Sequence, residues 1–441
     1  KDELNAGNGN IGSTNNNLSV KLGNGILDAE SDLGSIYLNN LGNDMKLGQV
    51  KAKDKVVLKT VGDITGSAGQ TAVISDSAEL TSTAGSIGTA ENILKTDLNS
   101  LKAEAADSLY LDNTVNSGYL ELNSVKAGNT AQISANGITG AAEGEDDVKA
   151  GKIYLDAEEG NIGTEDRALK VNGRLENATA GELLYVAATA LNAGFLQADS
   201  VKATSDGDMI IGTIDAAETE LISGTDMIAD AIKSDKVKAE AAGNMTVGEL
   251  LTDDAEMKAG ADMDITTSGS LKSAVLEAEN IKLTADGNLG TEENALQLTA
   301  KTSVTAKAAG LVNIHETNTE DGQTTISAEG GNDVTVKTER DTEVVKAAGS
   351  NVTVDAGGSL TTGGNGTLDI AAKDDIVIDN PEGNFGNLVS ENGSIDLTVA
   401  GNIEIRHLAA AGLVNMKAED TIKAKVEGIL KVGILEAVKR I

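Results

Sequence analysis

The sequence predicts an all-β protein folded as a parallel β-helix, a β-solenoid of roughly 18 rungs that forms one elongated rod. Three observations predict this fold class. A five-residue glycine motif recurs four times, at intervals close to whole multiples of a solenoid turn. A shorter repeat, an apolar residue followed by Lys and Ala, is typical of strands with one wet face. The composition, finally, suits a narrow aliphatic interior with frequent turns.

The glycine motif has the form Gly-[Asn/Ser]-[Ile/Leu]-Gly-[Ser/Thr] and occupies residues 9–13, 85–89, 160–164 and 287–291. The glycines predicted to be structural turn residues are Gly9, Gly12, Gly85, Gly88, Gly160, Gly163, Gly287 and Gly290. In every copy a Leu follows the first Gly by nine residues and begins the next strand. The intervals of 76, 75 and 127 residues fit roughly three, three and five turns of about 25 residues.

Two roles are open to these motifs. In the structural role, the two Gly allow the chain to leave the rung and return, and the Ser or Thr bonds to the turn backbone. In the functional role, four similar loops are presented on one side of the rod to a repetitive ligand. The structural role is the expectation.

The shorter repeat places apolar and Ala side chains inward and Lys outward. It occurs at residues 50–52, 101–103, 125–127, 148–150, 201–203, 237–239 and 257–259. Each strand is expected to span about three to five residues, too few for an independent hairpin, so it must stack on strands about 4.8 Å above and below. At about 24 residues per rung, the rod is about 85 Å long.

Some features of the fold are left open by the pattern. Handedness does not follow from it, and a right-handed coil is expected by analogy with other β-helices. An antiparallel β-sandwich is the alternative fold, although a sandwich has no reason to repeat a loop at multiples of a rung. Helical patterning occurs in residues 226–241 and 428–441.

The composition excludes several classes of protein. Aromatic residues make up 2% of the chain, while 50 Gly stand beside a single Pro, which rules out collagen. The formal charge of −34 repels phosphate backbones and anionic head groups, so neither nucleic-acid binding nor direct membrane insertion is expected. No Cys is present, which removes disulfides and thiolate chemistry.

The domain organisation is expected to be simple. Residues 1–441 are read as one continuous shaft segment, with a less regular stretch at 299–345. Lys1 opens the chain without Met or a signal-peptide pattern, and Ile441 closes it in mid-pattern. The sequence is therefore expected to be a fragment of a larger chain.

Residue patterns for catalysis and metal binding are weak. The acidic pairs Asp146-Asp147, Asp253-Asp254 and Asp374-Asp375 are interpreted as solvated turns, and the five Arg are scattered singly. His315 and His407 lie far apart, which disfavours zinc. Residues 363–369 resemble a calcium-binding nonapeptide, but its Asp is one place late and the motif occurs once. We therefore expect no enzyme, no catalytic or cofactor-binding residue, no metal and no cofactor.

The glycine motifs, the Ala-x-Gly-Asn-Ile rungs and the Cys-free, Ala/Gly/Asn/Thr-rich composition resemble filamentous-haemagglutinin-type adhesins, in particular the leukotoxin-like large adhesins of two-partner secretion. The resemblance covers nearly the whole chain and is weakest over residues 299–345. It implies a parallel β-helix, export through an outer-membrane two-partner-secretion transporter, a location outside the cell or on the bacterial surface, and a role in adhesion or biofilm. The secretion domain of that family is not in this sequence.

Rival functions remain beside the adhesin shaft. Contact-dependent inhibition toxins share the shaft architecture. A β-helix that binds host glycans or matrix proteins is another alternative, with residues 178–195 and 316–332 as the candidate segments. A polysaccharide lyase or hydrolase is a remote one.

Overall fold

The strands stack in register from turn to turn, and strands of successive turns pair in parallel. The computed structural model describes residues 2–141, 146–157, 159–320 and 322–356, followed by segments 360–362, 368–372, 376–380, 383–390, 394–399, 403–410, 412–418, 422–426 and 431–437. The chain divides into two compact units, Lys1–Ser223 and Gly224–Ile441. Together they make about 18 turns of a parallel β-solenoid, which confirms the predicted fold class and excludes the antiparallel sandwich.

The strands of the first unit follow one another with short connections. They are β1 Asp2–Ala6, β2 Leu18–Val20, β3 Ile26–Ser31, β4 Ile36–Asn40, β5 Met45–Ala52, β6 Lys55–Thr60, β7 Ile64–Gly66, β8 Val73–Ser82, β9 Leu94–Ala105, β10 Leu109–Asn113, β11 Tyr119–Ala127, β12 Thr130–Ala135, β13 Gly137–Gly140, β14 Val148–Ala157, β15 Leu169–Ala180, β16 Leu183–Ala188, β17 Leu191–Gln197, β18 Ser200–Ser205 and β19 Met209–Ser223.

The second unit continues with the same kind of element. Its strands are β20 Met227–Ala241, β21 Met245–Leu251, β22 Asp254–Ala259, β23 Asp262–Thr267, β24 Ala274–Ala285, β25 Leu296–Ala308, β26 Val312–Glu316, β27 Gln323–Gly330, β28 Val334–Thr338, β29 Asp341–Gly349, β30 Val352–Ala356, β31 Leu360–Thr362, β32 Leu368–Ala372, β33 Ile376–Asn380, β34 Gly383–Ser390, β35 Ile395–Val399, β36 Ile403–Ala410, β37 Leu413–Ala418, β38 Ile422–Val426 and β39 Lys431–Ala437.

The interior consists of columns of aliphatic side chains, one residue from each turn. One column of the first unit joins residues that are direct register partners on successive turns: Leu18, Leu38, Leu58, Leu80, Ala103, Val125, Val148 and Val171. Seven of these eight side chains are buried, and Leu58 and Leu80 have no exposed surface. Because each turn contributes only Ala, Val, Ile, Leu or Met to such a column, the interior closes without large aromatic rings.

Turn length varies more than the sequence indicates. Where a turn carries no loop, register partners lie 18 residues apart, as for Leu191 and Met209 in the first unit and Met245 and Met263 in the second. Turns with additional loop residues are longer, and Asp2 pairs with Leu27. The predicted length of about 24 residues per rung therefore describes the turns with loops.

Many strands are also longer than the predicted three to five residues, although others, such as β4 and β10, have five. The longest, β19 and β20, have 15 residues each. Segment 226–241, whose Ala and Lys pattern suggested a helix, contains strand β20, where inward residues such as Val237 and Ala239 alternate with exposed Lys. The ladder formed with β21 and β22 outweighs the modest helix preference of these residues. Segment 428–441 contains strand β39, and its remaining residues lie outside the described part of the chain.

We expect Leu58→Ala to lower the free energy of unfolding by about 2–5 kcal/mol, because it opens a cavity between two buried leucines in the same column. Urea unfolding followed by circular dichroism measures the change. Lys59→Ala is the matched control, since Lys59 is the exposed neighbour on the same strand. Equal effects of the two substitutions would contradict the inward assignment of Leu58.

Candidate functional site

Each glycine motif forms a loop that leaves the sheet and returns to it. Ile11 pairs with Ile36, and Leu18 pairs with Leu38. Six residues separate Ile11 from Leu18, whereas Tyr37 alone separates their partners. The chain therefore makes a six-residue excursion above a single outward-facing residue of the next turn. The Leu that the sequence places nine residues after the first Gly is the point of return.

The other three motifs repeat this geometry. The second leaves at Ile87 and returns at Leu94, the third leaves at Ile162 and returns at Leu169, and the fourth leaves at Leu289 and returns at Leu296. The residues spanned on the next turn are Tyr110, Tyr185 and Asn313. Three of the five Tyr in the chain thus lie beneath such loops.

The second Gly of each motif has a backbone that only Gly adopts readily. The φ angles of Gly12, Gly88, Gly163 and Gly290 are 75°, 67°, 78° and 80°. A side chain would also have no room, because a Cβ on Gly163 would lie 2.5 Å from the carbonyl oxygen of Tyr185. The first Gly of each motif is restricted by space rather than by its φ angle. A Cβ on Gly85, Gly160 or Gly287 would lie too close to main-chain atoms of a neighbouring turn, whereas no atom lies within 4 Å of a Cβ position on Gly9.

Main-chain hydrogen bonds close the loops. The amide of Thr164 donates to the carbonyl of Arg167 at 2.8 Å, and the amide of Arg167 donates back at 3.0 Å. The first and second loops contain the same reciprocal pair, and the hydroxyl of Thr89 also accepts a hydrogen bond from the amide of Asn92. The loop is therefore a closed four-residue turn whose conformation the sequence determines locally.

The loops of the first unit do not share one side. The first loop lies over β4, and the third lies over β16. These two strands belong to the same stack, which also contains β6 and the second half of β8. The second loop lies over β10, in the stack that contains β7, on another part of the same turns. In the first unit the loops therefore lack the common side that the alternative, functional role of the motifs would require. Because the turns are shorter than 25 residues, an interval of 76 residues carries the chain beyond three turns and onto a different sheet.

Asp147 corrects the interpretation of the acidic pairs. Only 3% of Asp147 is exposed, and its carboxylate accepts hydrogen bonds from the amides of Ala141 at 3.0 Å and Lys170 at 2.9 Å. Burial raises the pKa of Asp147, against the effect of these hydrogen bonds and of the Arg167 guanidinium 3.2 Å away. Arg167 also donates a hydrogen bond to the Gly140 carbonyl. Through Arg167 and Asp147, the third loop is therefore bonded to the preceding turn. Asp253 and Asp254 are exposed as predicted, and Asp374 and Asp375 lie outside the described residues.

A second buried polar cluster lies within residues 299–345. Arg340 is 8% exposed, and its guanidinium donates to the Thr324 hydroxyl at 2.7 Å and to the carbonyls of Ala300 and Lys301 at 3.0 and 2.7 Å. Glu316, with no exposed surface, accepts hydrogen bonds from the amides of Ala300 and Asn318. Burial raises the pKa of Glu316, despite those two hydrogen bonds and the charge of Arg340.

This cluster connects several turns of the second unit. The carbonyl of Ala300 accepts hydrogen bonds from both Asn318 and Arg340, residues 18 and 40 positions further along the chain. The strands around it, β25 to β29, pair in parallel like those elsewhere. The cluster thus replaces aliphatic packing with a network of polar bonds inside an otherwise regular stack.

The remaining candidates are placed as follows. The Nε2 atom of His315 lies 2.5 Å from Glu339, and hydrogen bonds from His315 and then Lys337 lower the pKa of that carboxyl. His407 is half-buried in β36. Residues 363–367 of the calcium-like motif lie outside the described part, and no group of three or more possible metal ligands occurs in the described residues. Residues 178–195 lie in strands β15 to β17 and their short connections.

The outward faces carry ion pairs between neighbouring turns. Lys51 pairs with Glu30 at 3.1 Å, Lys102 with Glu79 at 3.5 Å, and Lys258 with Glu277 at 2.8 Å. All six of these side chains are partly or largely exposed, so each pair contributes little to stability. Their effect is to place opposite charges above one another along the stack.

One groove departs from this pattern. It has a volume of about 820 Å³ and lies on the first unit. Its lining contains three lysines together with small and polar residues: Lys126, Asp146, Lys149, Lys170, Ala187, Ala188, Thr189, Thr204 and Asp206. No single sequence motif marks this groove, because its residues come from five separate strands and their connections.

Comparison with protein-family models, with curated proteins and with solved structures finds no match to this chain. In the part of the chain that the structure describes, no helix has the length and apolar character of a membrane span. The family resemblance consequently rests on the repeat motifs and on the solenoid fold that they predict.

We expect Gly163→Val to destabilise the protein by a few kcal/mol, because it combines an unfavourable φ of 78° with a clash against the Tyr185 carbonyl. Gly69→Val is the matched control, since Gly69 has a φ of 77° and no atom within 4 Å of a Cβ position. The control variant should lose only the stability that an unfavourable φ angle costs, about 1–2 kcal/mol. Thermal unfolding of both variants measures the difference, and equal melting temperatures would show that the close approach to Tyr185 is unimportant.

The contribution of Glu316 to the free energy of unfolding should decrease as pH rises, which is opposite to the usual behaviour of a carboxyl group in a folded protein. Its pKa in the folded chain is raised above the ordinary 4.5, so the folded state holds the proton more tightly than the unfolded state. We expect the contribution of Glu316, measured as the stability of wild type minus that of Glu316→Gln, to fall as pH rises from about 4.5 and then to level off.

Glu339→Gln is the control for this titration, because the pKa of Glu339 is lowered and its contribution should instead be lost as pH falls below 4.5. Denaturant unfolding between about pH 3 and pH 8 provides the measurement. A Glu316 contribution that rises with pH would refute the dominance of burial.

Proposed function

We propose that this chain is a structural shaft segment of an exported bacterial surface adhesin. The observation that carries the proposal is the parallel ladder that continues from turn to turn in each unit around an aliphatic interior. In such a fold each turn is stabilised by its two neighbours, so stability grows additively with length. A chain of this kind suits a mechanical role: it holds a binding module away from the cell surface.

The composition fits export and folding outside the cell. The chain contains no Cys and one Pro, so neither disulfide formation nor many slow prolyl isomerisations would delay folding. Turns can add one after another as the chain emerges, because each new turn needs only the preceding turn as a template. The proposed partners are an outer-membrane two-partner-secretion transporter and ligands on host or neighbouring cells, and the proposed location is the cell surface or the medium.

The proposal assigns the chain no catalytic role. A right-handed coil and a continuous elongated rod are parts of the proposal and stay predictions. The shaft of a contact-dependent inhibition toxin would use the same ladder, so the functional test includes an assay of neighbour killing.

Removing one complete turn should preserve the function of a shaft. Deleting residues 245–262 removes 18 residues and brings Met263 into the position of Met245, because Met227, Met245 and Met263 are successive register partners. We expect cells that express the whole protein with this deletion to export it and to attach to surfaces as the wild type does. Surface labelling and an attachment assay measure the two outcomes.

Deleting residues 245–253 is the matched control. This half-turn deletion shifts the chain by an odd number of residues and turns inward side chains outward, so export and attachment should both be lost. If the whole-turn deletion were as damaging as the half-turn deletion, the shaft role would be refuted. If a deletion abolished killing of neighbouring cells but not attachment, the shaft would be assigned to a contact-dependent inhibition toxin instead. Solution scattering from the purified protein that showed a compact globule would contradict the predicted rod.

A further inference from the structure

We propose that an outward column of aromatic and amide side chains on the first unit binds a basic, proline-rich peptide segment in the polyproline II conformation. The aromatic column consists of direct register partners on six successive turns: Tyr110, Gln132, Tyr154, Asn177, Phe195 and Thr213. This inference goes beyond the shaft role, since it gives one face of the stack a partner of its own.

The distribution of aromatic residues singles out this face. The chain has five Tyr and two Phe, and three of these seven residues belong to the aromatic column. Tyr154 lies between the buried Ile153 and Leu155, so the alternation of the strand turns its ring outward. All three aromatic residues of the column are half-buried. Part of each is therefore accessible to a partner.

The spacing of the rings is the first argument for the kind of partner. The rings occupy the first, third and fifth turns of the column, with Gln132 and Asn177 on the turns between them. Two rungs of about 4.8 Å place neighbouring rings about 9.6 Å apart along the stack. A polyproline II helix advances about 9.3 Å per turn of three residues. Prolines three positions apart would therefore meet successive rings.

Other peptide conformations match this spacing less well. An extended strand repeats one face at intervals of about 6.8 Å, which is far from the distance between the rings. Two turns of an α-helix advance about 10.8 Å, so a helix would be out of step by about 2.4 Å between Tyr110 and Phe195. The corresponding mismatch for polyproline II is about 0.6 Å. The period of the column thus favours polyproline II over both.

The amides between the rings supply the polar contacts that such a segment needs. A polyproline II segment has no internal hydrogen bonds, so its carbonyls can accept hydrogen bonds from a partner. Gln132 and Asn177 each carry an amide group with two N–H donors, and both residues are half-buried between the rings. Asn177 directs one donor to the Thr179 hydroxyl at 3.5 Å and has a second one for a ligand.

The neighbouring column indicates the charge of the partner. Two residues further along the same strands lie the register partners Asp112, Ser134, Asp156, Thr179, Gln197 and Asp215. Three of these six residues are acidic and none is basic, and Lys95, 3.9 Å from Asp112, belongs to the turn before them. On the other side of the aromatic column, Glu176 compensates Lys152 and Arg174, at 3.5 and 3.1 Å. This arrangement favours a peptide with Arg or Lys near its prolines.

The test is a calorimetric titration of the whole chain with two peptides of identical length and composition. The first, Arg-Pro-Ala-Ala-Pro-Ala-Ala-Pro-Ala-Arg, has prolines three positions apart, and the second, Arg-Ala-Ala-Pro-Pro-Pro-Ala-Ala-Ala-Arg, has them adjacent. We expect the first to bind at least about fivefold more tightly, because the second can place only one proline on a ring. Replacing both Arg of the first peptide by Glu should weaken its binding by at least about fivefold.

Variants of the protein test the rings directly. Tyr154→Thr removes the central ring and introduces the residue that Thr213 places in the same column, so we expect the first peptide to bind at least about fivefold more weakly. Tyr154→Phe keeps the ring and should stay within about twofold of wild type. The control Tyr119→Thr removes a ring that is 46% exposed in the same unit but outside the column. Its affinity should also stay within about twofold, since a ring that does not contact the peptide contributes nothing to binding.

Three results would overturn the proposal: no binding of the first peptide at about 1 mM, equal binding of the two peptides, or equal losses in Tyr154→Thr and Tyr119→Thr. Binding of a neutral oligosaccharide at Tyr154 in place of the peptide would also contradict it. The comparison of the two peptides uses the wild-type chain, so it tests the spacing even where Tyr154→Thr lowers the melting temperature.

This outcome is separate from that of the shaft proposal. The whole-turn deletion of residues 245–262 lies in the second unit, whereas the aromatic column belongs to the first. Failure of peptide binding would leave the tolerance of that deletion unchanged. Failure of the deletion test would leave the titration of the wild-type chain unchanged.

Discussion

The main-chain ladder between successive turns is the constraint on which the rest of this structure depends. A parallel strand of five or six residues has no partner of its own within the turn, so its amides and carbonyls must bond to the turns before and after it. This requirement fixes the register, and the register in turn fixes which side chains point inward. Leu38, Leu58 and Leu80 are buried because their main chains are partners, and their aliphatic side chains then fill the space between the sheets.

Glycine loops are compatible with that constraint because they begin and end at paired residues. The ladder is intact at Ile162 and again at Leu169, and the excursion between them costs the stack a single outward position, that of Tyr185. A loop with a different number of residues could use the same exit and return. The four copies nevertheless share one length, because all four have the left-handed Gly and the hydrogen bond from the Ser or Thr amide to the carbonyl three residues later.

The sequence was sufficient to predict the fold class, since period-2 alternation and a repeated loop are local features that survive in any context. It was not sufficient for turn length or for loop direction, because both depend on how many residues each corner uses. The helix-like composition of 226–241 misled for a related reason: Ala and Lys have helical preferences of a few tenths of a kcal/mol, which the ladder of β20 easily outweighs. The sequence could have predicted that Glu316 points inward, because Glu316 continues the alternation of the inward-facing residues Val312 and Ile314. The groove could not have been predicted in this way, since its lining residues come from five strands that become neighbours only once the register is known.

The buried cluster around Arg340 also bears on how the second unit would yield under tension. A regular solenoid can unwind one turn at a time, since each turn is held only by its neighbours. Arg340 donates hydrogen bonds to carbonyls 39 and 40 residues earlier in the chain. The turn that contains Arg340 therefore cannot detach without breaking these bonds to an earlier turn. Unwinding that reaches this point must break these bonds in addition to the ladder, so the cluster is expected to raise the force needed to detach this turn.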